Sequence, residues 1–454
     1  MNQEELDALR TEGDLNLSPA RQAWAAEHID AETQELLEAD SKYFLHQSLS
    51  SPCLNVLAAC QGSYLEDTQG RRILDFHGNN VHQVGFGNPE VIDAITTQLQ
   101  SLSFCTRRYT NRPAIELAKR LTELAPGGDK RVLLAPSGTA AIGMALKLAR
   151  ATTGRHKTIS MWDSFHGASL DAISIGGEAI FRQNAGPLLS GCEHVPPPDP
   201  SQCPFGCERM CNLKCADYIE YVLEKEGDVA AVIGETVRST PFVPPFDYWQ
   251  KVRAACDRHG ALLILDEIPH CLGRTGKMFT CEHYDVSPDI LVIGKGLGGG
   301  VFPLAGIIAE SHLNVASDKA LGHYTHEKNP VACAAALATI HHLERHQILQ
   351  RVEKLGKHVE ARIHSFRQNH SIVNQFRGLG LLMGIEVVAK SGERRDNNAI
   401  AERIMYQCLS RGLNFKLTLG NTLTLTPPLT ITDSEMEQAL EILESSLVEA
   451  EQSA

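Results

Sequence analysis

From about residue 113 onward, short apolar runs alternate with longer amphipathic stretches. Residues 132–135, 158–162, 230–234, 262–265 and 290–293 are mostly apolar over four or five positions. That is the pattern of strands covered on both faces. Between them, 113–124, 140–152 and 248–259 carry apolar residues at helical spacing. Strand–helix alternation predicts a mostly parallel sheet with helices on both faces, and in such sheets ligands gather at the carboxyl ends of the strands. Upstream, the first fifty residues read as a polar amphipathic arm, helical around 30–41, and 60–75 read as a hairpin with a Gly-containing turn. From Asn329 on, the pattern gives a long helix, an irregular β region and a final acidic helix. The expected fold class is therefore α/β. An N-terminal arm and small-domain segment (1–75) precede a large domain (76–328) that carries an insertion at about 192–215, and a smaller α+β domain (329–454) follows.

Composition adds limits. A chain of 454 residues is too long for one simple core. With 43% hydrophobic and 21% charged residues it is an ordinary globular composition, and a net charge of −13 argues against nucleic acid or an anionic membrane as a general partner. No apolar run approaches the roughly 18 residues of a membrane span, and Met1 to Arg10 is acidic rather than a signal peptide, so a cytoplasmic protein is expected. Thirteen cysteines, an odd number, fit a reduced protein. Cys203, Cys207, Cys211 and Cys215 follow one another at intervals of four, with Cys192 and His194 just upstream. Four thiolates can hold zinc, but a regular i, i+4 spacing sets thiols along one face of a helix. The reading is packing cysteines, and no metal.

The polar residues that carry chemistry stand after the predicted strands. Lys295 follows the apolar run 290–293 and opens Lys295-Gly296-Leu297-Gly298-Gly299-Gly300. A lysine desolvated at a strand end has a lowered amine pKa and suits Schiff-base chemistry, and the glycines allow close backbone approach to a ligand. Pro136-Ser137-Gly138-Thr139 runs into a helix, giving N–H groups and two hydroxyls for a phosphate, or an ordinary N-cap. Phe165-His166-Gly167 offers a ring to cover a planar ligand, or a core Phe in a turn. Asp266-Glu267 places a carboxylate where it must be paired, for which a pyridinium N–H would serve. Thr325 lies in a polar loop before a helix. Together these are the parts that pyridoxal phosphate needs.

Leu265-Asp266-Glu267-Ile268 with Gly273-Arg274-Thr275-Gly276 resembles the signature of class III aminotransferases, pyridoxal-phosphate enzymes of fold type I. Ser137-Gly138-Thr139, Phe165-His166-Gly167, Lys295 with its glycines, Asn329-Pro330, Arg377-Gly378-Leu379-Gly380 and Pro427-Pro428-Leu429 match in order, so the resemblance covers about 50–445. It implies a homodimer with the active site at the subunit interface. It also implies that Lys295 anchors the cofactor, Asp266 pairs with the pyridine nitrogen and Phe165 stacks on the ring. Ser137, Gly138 and Thr139 would hold the phosphate, reached by Thr325 from the other subunit, with His166, Glu235 and Ile268 also in the cofactor site.

The chain departs from the family in three places. Glu235-Thr236-Val237-Arg238 has an arginine where many members have glutamine, and Ala140 and Gly143 stand where glutamates are common. Thr424 stands where many amino-acid transaminases carry the arginine that clamps the substrate carboxylate, while Arg107, Arg108 and Arg112 crowd the loop around Tyr109. The expected substrate is therefore an amine without an α-carboxylate but with a phosphonate or phosphate, its anion met by Arg107, Arg108 or Arg238. The segments 75–85, 107–113 and 323–327 resemble a branch of pyridoxal-phosphate ammonia-lyases that act on a hydroxylated aminoethylphosphonate. The rival expectations are a class III transaminase, a phospho-lyase on an amino-alcohol phosphate, and a vitamin-binding scaffold.

Overall fold

The computed structural model describes residues 12–199, 203–207 and 211–452. The chain divides into two compact units, 1–88 with 350–454, and 89–349.

In the first unit, Ser18 and Asp30 cap the helices Pro19–His28 and Ala31–Tyr43 by accepting the N–H groups of Arg21 and Thr33. Strands β1 (Leu57–Gln61), β2 (Tyr64–Asp67) and β3 (Arg72–Asp75) form an antiparallel meander, so the sequence-predicted hairpin has a third strand. It is joined on the far side of β3 by β13 (Leu413–Asn414), running parallel. A second sheet, antiparallel, has the order β11 (Val373–Leu379), β12 (Leu382–Val387), β15 (Thr422–Leu425), β14 (Lys416–Thr418). The hydroxyls of Thr424 and Thr418 meet across β14 and β15 at 2.7 Å, both buried. At the end of β3 the carboxyl of Asp75 is buried, which pushes its pKa up to about 6; it accepts hydrogen bonds from Asn414 (2.7 Å) and the N–H of His77 (3.1 Å).

The second unit is built on a seven-stranded sheet, in spatial order β4 (Lys130–Ala135), β10 (Ala305–Glu310), β9 (Ile290–Ile293), β8 (Leu262–Asp266), β7 (Val229–Glu235), β5 (Lys157–Met161), β6 (Cys192–Val195). All neighbours are parallel except those of β10, which runs against β4 and β9. Every residue of β7 and β9 is buried, as continuous apolar runs require. Helices α1 (Pro89–Ser101), α2 (Arg112–Leu124), α3 (Gly138–Thr153), α4 (Lys214–Glu226), α5 (Phe246–His259) and α6 (Pro330–Arg345) belong to this unit. Of these, α3 buries an unbroken stretch from Ala140 to Leu146. Ile142 and Met144 join Ile264, Val292 and Ile307 in one cluster, each side chain contributing roughly 1.5–3 kcal/mol by leaving water.

The five strands and three helices expected here are present, each with ends shifted by no more than two residues. The structure adds β6 and β10. The compact units meet at 88/89 and 349/350, against the expected 75/76 and 328/329; the second boundary lies later because α6 packs on α1 and α2. The cysteine run does not form one helix. Pro204 and Gly206 (φ +74°) put a turn between Cys203 and Cys207, and only Cys215 lies in a helix, in the first turn of α4. All four thiols are free, and Cys207 Sγ donates to Asn212 Oδ1 at 3.2 Å. Among the described residues no helix is long and apolar enough to cross a membrane.

Candidate active site

Five strand ends of the second unit deliver the singled-out residues. After β4, Ser137 caps α3, its Oγ accepting the N–H of Ala140 at 3.4 Å. The N-terminus of this sixteen-residue helix leaves backbone N–H groups and a positive dipole end for an anion. Gly138 lets the start of the helix approach the turn after β8 closely. A Cβ at that position would lie 2.9 Å from Ile268 Cδ1, so the turn after β8 and the start of α3 touch through the missing side chain. Thr139 Oγ1 meets Ser169 Oγ at 2.5 Å.

After β5, Phe165 is over a third exposed and its ring lies 4.6 Å from that of Phe181, whereas His166 is almost fully buried. Gly167 follows with φ +124°, a conformation in which a Cβ would overlap Thr139 at 2.6 Å. The loop after β5 is thereby drawn against the start of α3.

At the end of β8, Asp266 is buried, with two partners of different kinds. Its Oδ2 lies 2.8 Å from His166 Nδ1, and its Oδ1 accepts the N–H of Ile268 at 3.1 Å. A buried carboxylate needs such partners, since desolvation penalises an unpaired charge. Glu267 points the other way and accepts from Thr236 Oγ1 (3.0 Å) and from the N–H groups of Thr280 and Cys281 (2.6 Å each). Complete burial outweighs these bonds and pushes its pKa up to about 7. Burial does the same to Glu235 at the end of β7, also to about 7.

After β9, Lys295 is partly buried and takes a left-handed backbone conformation, φ +48°. For a residue with a side chain this is strained, and such strain persists where packing over-determines it. His270, wholly buried, is electrostatically coupled to both Lys295 and Asp266, and burial pushes its pKa down to about 3. Its Nδ1 lies 3.0 Å from Thr280 Oγ1, and the backbone of Val237 is a further hydrogen-bonding neighbour that favours the protonated ring.

The matched family model is aminotransferase class-III, over residues 47–447. The chain belongs to the class-III aminotransferase family. Among curated relatives of this class-III aminotransferase-family chain, an (R)-1-hydroxy-2-aminoethylphosphonate ammonia-lyase of Vibrio splendidus is 45% identical over 96% of this chain and 95% of its own. A leucine/methionine racemase of Thermococcus litoralis is 33% identical over 92% of this chain and 96% of its own. Of solved structures, a Bacillus anthracis aminotransferase matches with a TM-score of 0.83 and 31% identity over 92% of this chain and 98% of its own. The taurine:2-oxoglutarate aminotransferase of Bifidobacterium kashiwanohense, in complex with PLP and glutamate, matches at 0.85 and 27% over 92% and 98%.

The arginines differ in their surroundings. Arg107 and Arg108 are exposed, as is Thr325. Arg238 is largely buried; its guanidinium is paired with Glu178, with Nε 3.0 Å from Thr240 Oγ1 and 4.0 Å from Glu235 Oε2. Sequence reasoning did not foresee Glu178, Ser169 or His270 as members of this neighbourhood. For His270 a signal exists, because it follows Asp266 by four residues in the same turn; for the other two the sequence carries none.

Proposed function

We propose that this chain is a pyridoxal-phosphate-dependent ammonia-lyase that converts (R)-1-hydroxy-2-aminoethylphosphonate to phosphonoacetaldehyde and ammonia. The observation that carries the reading is the 45% identity to such a lyase across 96% of the chain. The residues present fit the cofactor. Ser137, Gly138 and Thr139 at the start of α3 suit its phosphate, Phe165 and Ile268 its ring, and Asp266, oriented by His166, the ring nitrogen. Lys295 would anchor it, with Glu235 at the end of β7 beside Asp266 on β8, and Thr325 serving the phosphate of a second subunit.

When bound, pyridoxal phosphate supplies an electron sink that makes the carbon bearing the substrate amine acidic. Lys295 Nζ takes the proton from that carbon. The hydroxyl on the neighbouring carbon leaves as water once it receives a proton, which the Lys295 ammonium carries. The C–O bond breaks as the C–C double bond forms, and hydrolysis of the resulting enamine gives the aldehyde and ammonia. Asp266 keeps a proton at the ring nitrogen throughout. Arg107, Arg108 and Arg238 are the candidates for the phosphonate.

We also propose a cytoplasmic homodimer with shared sites. Ile92, Leu99, Leu102, Phe104, Tyr109 and Ile115 are exposed apolar side chains in and around α1 and α2, a surface suited to a second copy.

A second reading, a transaminase, is favoured by the aminotransferase neighbours in structure. One assay separates the two. Purified holoenzyme is given 1-hydroxy-2-aminoethylphosphonate without a keto acid and ammonia is measured. Release of ammonia is expected; turnover only with pyruvate or 2-oxoglutarate would establish the transaminase instead.

A further inference from the structure

Helix α6 ends in His341-His342-Leu343-Glu344-Arg345, and His346 caps its C-terminus. Its residues 342 and 346 are one helical turn apart, so both imidazoles stand on one face, with ring centroids 4.4 Å apart. Facing them is Glu90, in the first turn of α1. Its Oε1 lies 2.9 Å from His342 Nδ1 and 3.1 Å from His346 Nε2, and the three donor atoms lie within 4.8 Å of one another. Arg345 holds the other carboxylate oxygen, Oε2, at 3.1 Å, which turns Oε1 alone toward the two rings. Among the described residues this is the group of three or more side-chain donors that converges closely enough to hold a metal ion; the cysteine run supplies none.

We propose that Glu90, His342 and His346 bind a divalent transition-metal ion, of the class of Zn²⁺, Ni²⁺ or Co²⁺. Two imidazole nitrogens and one carboxylate oxygen are the donor set such ions take, with a water completing a four-coordinate shell on the exposed side of His346. Hard ions such as Mg²⁺, which want oxygen ligands, are excluded by the two nitrogens. The competing account is an ionic clamp. In it, two imidazole N–H groups share one carboxylate oxygen, and nothing is bound. The metal differs in replacing both of those protons by one ion at the centre of the triangle.

The site is separate from the proposed catalytic residues, yet the helices it ties together bear on the turn that holds Lys295. Val91, next to Glu90, and Thr339, on α6, flank Gly299: a Cβ there would lie 2.7 Å from Val91 Cγ1 and 2.8 Å from Thr339 Oγ1. Helix α6 also packs directly on the Lys295–Gly298 turn. An ion at Glu90 would fasten α1 to α6 behind the glycine turn and stiffen it.

The test uses holoenzyme freed of metal with a chelator, then titrated with Ni²⁺ by calorimetry and followed by thermal melting. Nickel is the probe because imidazole suits it, whereas the thirteen cysteines compete strongly for zinc. Wild type and the neighbouring control His341→Gln should each bind one equivalent per chain and melt at a higher temperature. Glu90→Gln and the double variant His342→Gln/His346→Gln should bind at least tenfold more weakly and gain no melting temperature, while cofactor absorbance reports an intact fold. Binding by wild type no tighter than by the double variant would overturn the proposal, as would an equal loss in His341→Gln.

Discussion

His166 Nδ1 and Asp266 Oδ2 meet at 2.8 Å with both side chains almost wholly buried, so the carboxylate at the end of β8 is aimed by a residue from the loop after β5. In the proposed function Asp266 keeps the cofactor's ring nitrogen protonated, and His166 acts through it as a positioning residue. Replacing His166 by Ala removes one of two hydrogen-bond partners of a buried carboxylate. The expected result is a fall in kcat by about ten- to a hundredfold, the usual cost of losing a side chain that orients a functional ligand. His166→Gln, which can still donate, should recover part of it. Equal kcat in all three proteins would remove His166 from this role.

Lys295 is the sharper test of the cofactor. Lys295→Ala should abolish the absorbance near ~420 nm that marks the anchored cofactor and should reduce ammonia release to background. The backbone at 295 has φ +48°, where Ala is as strained as Lys, so the variant isolates the amine from the turn. A band that survives in Lys295→Ala would place the covalent anchor elsewhere.

The three arginines should separate by burial. Arg107→Ala and Arg108→Ala alter exposed side chains, so if either meets the phosphonate its KM should rise with little change in melting temperature. Arg238→Ala removes the partly buried partner of Glu178 and leaves Glu235 without its nearby cation. It should destabilise the protein by about 1–3 kcal/mol, between the cost of breaking an exposed ion pair and that of breaking a buried one, measured by urea denaturation. A raised KM in Arg238→Ala without loss of stability would instead favour Arg238 as the anion's partner.

The strands and the residues at their ends were legible because buried parallel strands leave continuous apolar runs, and the polar residue that follows each run stands out. Ser137, Asp266 and Lys295 were found that way. What binds these loops together was not legible. His166 and Asp266 are a hundred residues apart, Glu178 and Arg238 sixty, and Glu90 and His342 more than 250, and no local pattern pairs them. The cysteine run misled because its spacing was read as a helix, while Pro204 and Gly206 within it dictate a turn. β10 was missed for a related reason: it runs antiparallel at a point where alternation with helices had stopped.

His270 should leave a mark on stability against pH. Burial holds its folded-state pKa near about 3, opposed by Asp266 and reinforced by Lys295, whereas an unfolded histidine titrates near ~6.5. Between those values the unfolded chain takes up a proton that the folded chain refuses, so stability rises with pH and is lost as pH falls below the unfolded value. At pH 5 the loss from this one side chain is about 2 kcal/mol. His270→Gln has no proton to take up, and Gln can still meet Thr280 Oγ1. Urea unfolding of the two holoenzymes at pH 7.5 and pH 5 should therefore show a larger drop for wild type, by about that amount. The carboxyls of Glu235 and Glu267 titrate in both proteins and cancel from the difference. Parallel losses in the two would mean that His270 is protonated in the folded enzyme, and that its imidazolium faces Asp266.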